Sequence, residues 1–275
     1  MTDIGAMAAT LDLDAYLERI EWSGSARPTI ETLASLLDAH MAHIPFENLD
    51  VLLGRGIRLD LDSLQDKLVR GRRGGYCFEQ ATLFAAALEA FGFAPVRHCA
   101  RVTLQKPRAE SPRTHMFLTV PLEEGTFVVD PGFGSFAPRV PVPLRDRVSA
   151  RRGAEVHWMA FDGTRWTLCA QSGDAVVEAW VSTLEEDFPV DFELGNHYTS
   201  THPQSSFRHY IMLRALTPDG RVGVMNRDVT HWRDGTPHRF QLADRAALRA
   251  LLAEHFGFDL PEVEQLRVSS IPEWA

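Results

Sequence analysis

The residues best suited to chemistry lie in Arg72-Arg73-Gly74-Gly75-Tyr76-Cys77-Phe78-Glu79-Gln80. Two glycines permit a tight turn and a close backbone approach just before a cysteine. The apolar residues that follow, Phe78, Leu83, Phe84, Ala87, Leu88 and Phe91, have the spacing of a buried helix. Cys77 is therefore expected at or near a helix N-terminus. There the unpaired N–H groups and the positive end of the helix dipole favour a thiolate, and Arg72 and Arg73 could add to the field. The competing reading is an inert buried cysteine, a common fate of that residue type. The Gly-Gly turn in front of it weighs against inertness.

A thiol that attacks an acyl carbon is best served by an imidazole that takes its proton, itself oriented by an acidic or amide group. Eleven histidines leave the choice of imidazole open on composition. His115 stands at the start of a strand pattern, just after the polar loop from Lys106 to Pro112. Asp130 closes the apolar run Phe127-Val128-Val129 and precedes Pro131-Gly132-Phe133-Gly134, so it could present a carboxylate to a cleft. A turn-forming aspartate before proline is the plain alternative. Gly132 and Gly134 could let backbone N–H groups approach a phosphate, but a short Gly-x-Gly matches neither the Walker pattern nor a dinucleotide fingerprint. Upstream, a helix stopped by Pro45 leaves Phe46, Glu47 and Asn48 together. This is either a buried polar anchor or a site wall, because a carboxylate among apolar residues must find partners. Phe46 is the member suited to face a ligand.

Elements that would position these groups can be read in order. Leu13, Tyr16, Leu17 and Ile20 share a helix face, and Thr29 caps a second helix running to Pro45. Asp62 with Gln65 resembles a capping box for a third, Ser63 to Val69, and the cysteine helix ends near Gly92. From Pro95 the period changes to two: Val96 to Leu104, Thr114 to Val120, Thr126 to Val129, Val156 to Phe161, Arg165 to Cys169 and Val176 to Val181 read as strands. The first is expected to bury one face. Asp162-Gly163 is a hairpin signal, and the spacing suggests a sandwich or small barrel. Cys99 and Cys169 fall inside these strands and read as structural. The stretch from Leu184 to Phe207 changes character, with a boundary near residue 188. A strand meander from Tyr210 to Gln241 and a helix from Asp244 to Phe256, ended by Gly257, complete the chain.

Composition narrows the function classes. With 45% hydrophobic residues, 275 residues can bury a sizeable core, as one large domain or two to three small ones. A net charge of -9 argues against a general nucleic-acid or anionic-membrane binder, while leaving room for a local basic pocket. Cys77, Cys99 and Cys169 form neither a disulfide framework nor a zinc spacing, which points to a reducing, cytoplasmic setting and no metal. Met1 to Thr10 carries an early Asp3 and no basic residue, unlike a signal peptide. No apolar run is long enough to span a membrane.

Taken together, Arg73-Gly74-Gly75-Tyr76-Cys77-Phe78-Glu79, His43-Ile44-Pro45-Phe46-Glu47-Asn48, His115, Asp130-Pro131-Gly132-Phe133-Gly134 and Ser200-Thr201-His202-Pro203 resemble the arylamine N-acetyltransferase family of bacterial type. The likeness covers nearly the whole chain in the right order. It implies an α+β fold with a cysteine-protease or transglutaminase-like core: a helical bundle over 1–92, an antiparallel β-barrel over 93–188 and an α/β lid over 189–275. It also implies a triad of Cys77, His115 and Asp130, acetyl-CoA as cosubstrate without a metal, and a role in xenobiotic metabolism. Phe46 and Phe133 would wall the acceptor pocket, and Gly132, Gly134 and Phe207 would lie against the coenzyme. Pro131 departs from the valine more usual in the family and leaves the aspartate in place.

The leading expectation is an acyltransferase that moves acetyl from acetyl-CoA through a cysteine thioester to the nitrogen of an arylamine or hydrazine. Within the family, a macrocyclising amide synthase of an antibiotic pathway is the alternative. Outside it, a thiol peptidase or transglutaminase would use the same triad to cleave amides. A non-enzymatic acyl-CoA-binding domain would need neither His115 nor Asp130.

Overall fold

The computed structural model describes residues 10–275, and the reading made of residues 1–9 lies outside them. Its helices begin with α1 (Leu13–Arg19), α2 (Ile30–His43), α3 (Leu49–Leu52), α4 (Leu61–Leu64) and α5 (Cys77–Ala90). The Thr29 side chain accepts from the Thr32 amide at the start of α2, as its sequence suggests. Leu33, Leu36 and Leu37 of α2 and Phe78, Leu83, Phe84 and Leu88 of α5 share one core with Met116, Leu118 and Val129 of the neighbouring sheet. The third expected helix starts earlier than its proposed capping box. Asp60, in extended backbone, accepts from the Ser63 amide, while Asp62 lies inside the first turn. Beyond Leu64 the helix widens into a π-helical turn over Gln65–Arg70. α3, only four residues long, is too short for its periodicity to show.

The central element is one antiparallel sheet of β1 (Val96–Val102), β2 (Arg113–Leu122), β3 (Gly125–Val129), β4 (Val142–Pro143), β5 (Ser149–Arg152), β6 (Glu155–Phe161), β7 (Trp166–Ser172) and β8 (Ala175–Ser182). Its strand order is β4-β3-β2-β1-β8-β7-β6-β5. Because β4 returns against β6 and Asp146 bridges Met159, the sheet forms a nearly closed barrel. Phe117, Val128, Met159, Leu168 and Trp180 fill its interior. β1 was expected to bury one face only, yet His98, Cys99 and Ala100 are all buried. Cys99 points into the core shared with the helices and Ala100 into the barrel, so both faces of the strand are covered.

After the barrel come α6 (Pro189–Thr201), the meander β9 (Met212–Thr217), β10 (Gly220–Met225), β11 (Asp228–Arg233) and β12 (Thr236–Gln241), and α7 (Arg245–Leu251). Leu213, Val222, Val229, Leu248 and Phe256 pack with Leu49 in a further core. Asp244 caps α7 by accepting from Ala247, and the helix runs on as a π turn through Leu252–Phe256 to Gly257. α6 escaped the sequence reading because its apolar residues do not share a face: Phe192 is buried while Val190 and Leu194 are exposed. The usable signals were Pro189 in the first turn and Asp191, whose carboxylate accepts from the Phe188 amide at 2.9 Å. The architecture is α+β. Among the described residues no helix is long and apolar enough to cross a membrane.

Candidate active site

Cys77 is the first residue of α5, where the N–H groups of the opening turn have no partners within the helix. Its thiol lies 3.8 Å from the carbonyl oxygen of Thr114, one residue before His115 on β2. β2 and β3 pair with Leu118 opposite Val129, which sets His115 beside Asp130 just past the end of β3. His115 Nε2 is 2.8 Å from Asp130 Oδ2. A carboxylate can only accept, so Nε2 carries the hydrogen and Nδ1 is left for the neighbouring Cys77. Burial works against a charge on His115, but the Asp130 charge and hydrogen bond, with the contact to Cys77, outweigh it and raise the imidazole from 6.5 to about 10.

The turn before Cys77 is built by close approach. A side chain at Gly74 would run into the carbonyl oxygen of Pro45, and one at Gly132 would sit 2.5 Å from Cys77 Cα. Both positions thus require glycine for packing: the first lets the 45–47 segment lie alongside the turn, and the second lets the loop after Asp130 press on the start of α5. Glu47 accepts from the Leu49 amide at 2.8 Å and from Arg73 Nη2 at 2.6 Å. Arg73 also faces Asp50 at 3.3 Å, and Lys67 joins Asp50 and Glu79 at 2.8 and 2.7 Å. Burial opposes ionisation of Asp50, but Lys67 and Arg73 overcome it and hold the carboxyl at about 2. The field that Arg73 was expected to lend the thiol is consequently spent on these carboxylates. Glu47 is the buried anchor, and Phe46 the wall.

Phe46, Cys77, His115, Gly132, Phe133, Gly134 and Phe207 all line one cavity of about 580 Å³. Asp130 stands behind it, fully buried. Phe133 meets the His115 ring edge-on at 4.8 Å, and Phe46 and Phe207 are likewise edge-on at 6.3 Å. The 205–210 loop is held by Asn48, whose Nδ2 donates to the carbonyls of Phe207 at 2.9 Å and Tyr210 at 2.8 Å, while its Oδ1 accepts from the Met212 amide. Each residue of Pro45-Phe46-Glu47-Asn48 thereby has a separate task. A buried polar cluster beside an apolar, aromatic cavity of this size suits a small organic ligand.

Two contributors were not foreseen. Trp180 of β8 donates its indole N–H to Asp130 Oδ2 at 2.8 Å, and its ring stacks on Phe117 at 4.1 Å. Arg214 of β9 exchanges backbone hydrogen bonds with Phe46 at 2.8 and 2.9 Å and donates from its guanidinium to the Gly134 carbonyl. Nothing near either residue in the chain marks it, since both act on partners far away in sequence.

The N-acetyltransferase family model matches residues 29–265. The chain is 38% identical over 255 residues to an arylamine N-acetyltransferase of Escherichia coli (strain K12), covering 92% of this chain and 90% of that one. Among solved structures it resembles the Nocardia farcinica arylamine N-acetyltransferase, with a TM-score of 0.85 and 36% identity over 96% of this chain and 95% of that one. It also resembles the Mycobacterium marinum arylamine N-acetyltransferase in complex with CoA, with a TM-score of 0.87 and 32% identity over 92% of this chain and 94% of that one.

Proposed function

The chain belongs to the arylamine N-acetyltransferase family, and from that premise we propose that it moves an acetyl group from acetyl-CoA to an arylamine or arylhydrazine through a thioester on Cys77. The observation that carries this reading is the chain of contacts from Cys77 through His115 to Asp130 at one wall of the aromatic cavity. His115 takes the thiol proton at Nδ1, and Asp130 holds Nε2–H so that the ring keeps its orientation and stabilises the imidazolium. The sulfur attacks the thioester carbonyl of acetyl-CoA, with first-turn N–H groups of α5 facing the developing oxyanion. The C–S bond to the coenzyme breaks, and the departing thiolate takes the proton from His115. An amine nitrogen then attacks acetyl-Cys77, giving its proton to His115, and collapse releases the acetamide and the free thiol.

Phe46 and Phe133 would receive the flat acceptor ring, and Gly132, Gly134 and Phe207 would meet the coenzyme. In this reading the chain works as three units, 1–92, 93–188 and 189–275, with Cys77 supplied by the first and His115 and Asp130 by the second. Three free cysteines support a reducing, cytoplasmic setting.

Intact mass after brief mixing with acetyl-CoA and no acceptor tests the proposal. One added acetyl group is expected in the wild type, in Cys99→Ala and in Cys169→Ala, and none in Cys77→Ala. Acetylation that persists in Cys77→Ala overturns it.

A further inference from the structure

A second cavity, of about 220 Å³, opens on the barrel and is lined by Arg101, Arg108, Arg113 and Arg165, with Glu185 as the only acidic residue in its wall. Adjacent strands create this concentration of charge. Arg101 of β1 pairs in register with Arg113 of β2 on one side and with Val181 of β8 on the other, where Thr114 of β2 is left out of the pairing, and Arg165 precedes β7. Like charges placed opposite one another across strands destabilise a sheet unless something neutralises them.

Part of the neutralisation is visible. Arg113 pairs with Glu185 at 3.1 Å and with the buried Asp187, and Arg165 pairs with Asp162 at 3.1 Å. Arg101 instead donates to the Ser111 carbonyl at 2.6 Å, and neither Arg101 nor Arg108 makes an ion pair with a carboxylate among the described residues. Two guanidinium groups therefore face one cavity without a direct ion-pair partner among the described residues, on a protein whose net charge is -9. The Ser111 hydrogen bond fixes the Arg101 fork in place before any ligand arrives, which lowers the entropic cost of binding.

We infer that this cavity is a binding site for a phosphate-class dianion, held by Arg101 and Arg108 and supported by Arg113 and Arg165. Guanidinium forks match tetrahedral oxyanions in charge and geometry. Size sets the class of ligand, because 220 Å³ is below the roughly 300–1,000 Å³ of pockets that enclose whole organic molecules. A single phosphate, free or at the end of a larger molecule, is the fitting occupant. The site is separate from the cavity at Cys77, but the two share a wall: Lys106 and Ser111 line the larger one, while Arg108 and Arg113 from the same segment line the smaller.

Calorimetric titration of the full chain with inorganic phosphate at constant ionic strength tests the site without reference to acetyl transfer. Saturable binding with one phosphate per chain is expected, weakened at least about tenfold in the Arg101→Gln/Arg108→Gln double variant, a loss of about 1.4 kcal/mol. Arg239→Gln, on the exposed strand β12, should bind as the wild type does. If the double variant does not fold by circular dichroism, Arg108→Gln alone, in the exposed 3₁₀ turn Arg108–Glu110, takes its place. Absence of saturable binding, or equal binding by the wild type and the variants, overturns the inference. A second arm, which rests on the acetyl-transfer reading, identifies the source. If the coenzyme 3′-phosphate occupies the site, the variant raises KM for acetyl-CoA but not for its 3′-dephospho analogue, and CoA displaces inorganic phosphate. If free phosphate is the occupant, saturating CoA leaves phosphate binding intact.

Discussion

Trp180 and His115 share one oxygen of Asp130: indole N–H and imidazole N–H each reach Oδ2 at 2.8 Å. The carboxylate is fully buried and its other oxygen has no hydrogen-bond partner among the described residues. Trp180 is thus a large share of what holds that charge in place, and a hydrogen bond to a charged group contributes about 1.5–3 kcal/mol. Trp180→Phe keeps the stack on Phe117 but removes the donor. It is expected to lower unfolding free energy by about that amount in urea titration and to slow acetylation of Cys77. Wild-type stability together with wild-type acetylation would show that the indole does not steady Asp130.

The raised His115 affinity for protons gives a signed dependence of stability on pH. Burial opposes the charge, Asp130 and Cys77 favour it, and the folded value of about 10 exceeds the ordinary 6.5. Folding therefore binds a proton more tightly, so the stabilisation is fully present below about 6.5 and is lost as pH rises through about 10. The difference in Tm between the wild type and His115→Gln should narrow steadily over that interval. A difference that is constant or grows with pH contradicts the assignment.

The aromatic wall should separate capture by an amine from capture by water. Phe46 and Phe133 line the cavity beside Cys77 and His115, so Phe46→Ala and Phe133→Ala are expected to weaken use of an aromatic acceptor more than loading of acetyl. Single-turnover decay of the acetyl-enzyme, with and without aromatic amine, is the measurement. Equal decay in the two conditions favours a hydrolase.

Asn48 ties the loop that carries Phe207 with three hydrogen bonds. Asn48→Ala leaves two carbonyls and an amide to find new partners, at about 1–3 kcal/mol for each that stays buried and unpaired. Binding of acetyl-CoA should weaken several-fold while acetylation at saturating donor stays near wild type. Unchanged KM would remove Phe207 and its loop from the coenzyme's surroundings.

The parts of this site that could be read in the chain are those with a local cause. Cys77 follows two glycines and opens an apolar-spaced helix, and Pro45-Phe46-Glu47-Asn48 packs four distinct demands into consecutive positions. Asp130 is visible as a carboxylate at a strand end. Trp180 and Arg214 were invisible because each works on a residue brought near only by sheet order. Arg73 was misjudged for the same reason: its neighbours suggest a field at the thiol, but Glu47 and Asp50, distant in sequence, take up its charge. Likewise α4 began at the cap that geometry chose, Asp60, rather than at the residue with the better motif. α6 has a proline and a capping aspartate but no apolar stripe, so periodicity passes over it.

The backbone pairing of Phe46 with Arg214 has a consequence for how the protein is made. A chain emerging from the ribosome completes α5 and its thiol, and then the strands carrying His115 and Asp130, before β9 exists. Until Arg214 arrives to pair with Phe46 and to hold the Gly134 carbonyl, the cavity lacks its remaining wall. Long-range contacts of this kind form late, because closing the intervening loop must precede any gain from the contact. In the proposed mechanism Cys77 is consequently synthesised well ahead of the surface that would select its reaction partner, and the last strands to fold would act as the step that confers selectivity on the thiol.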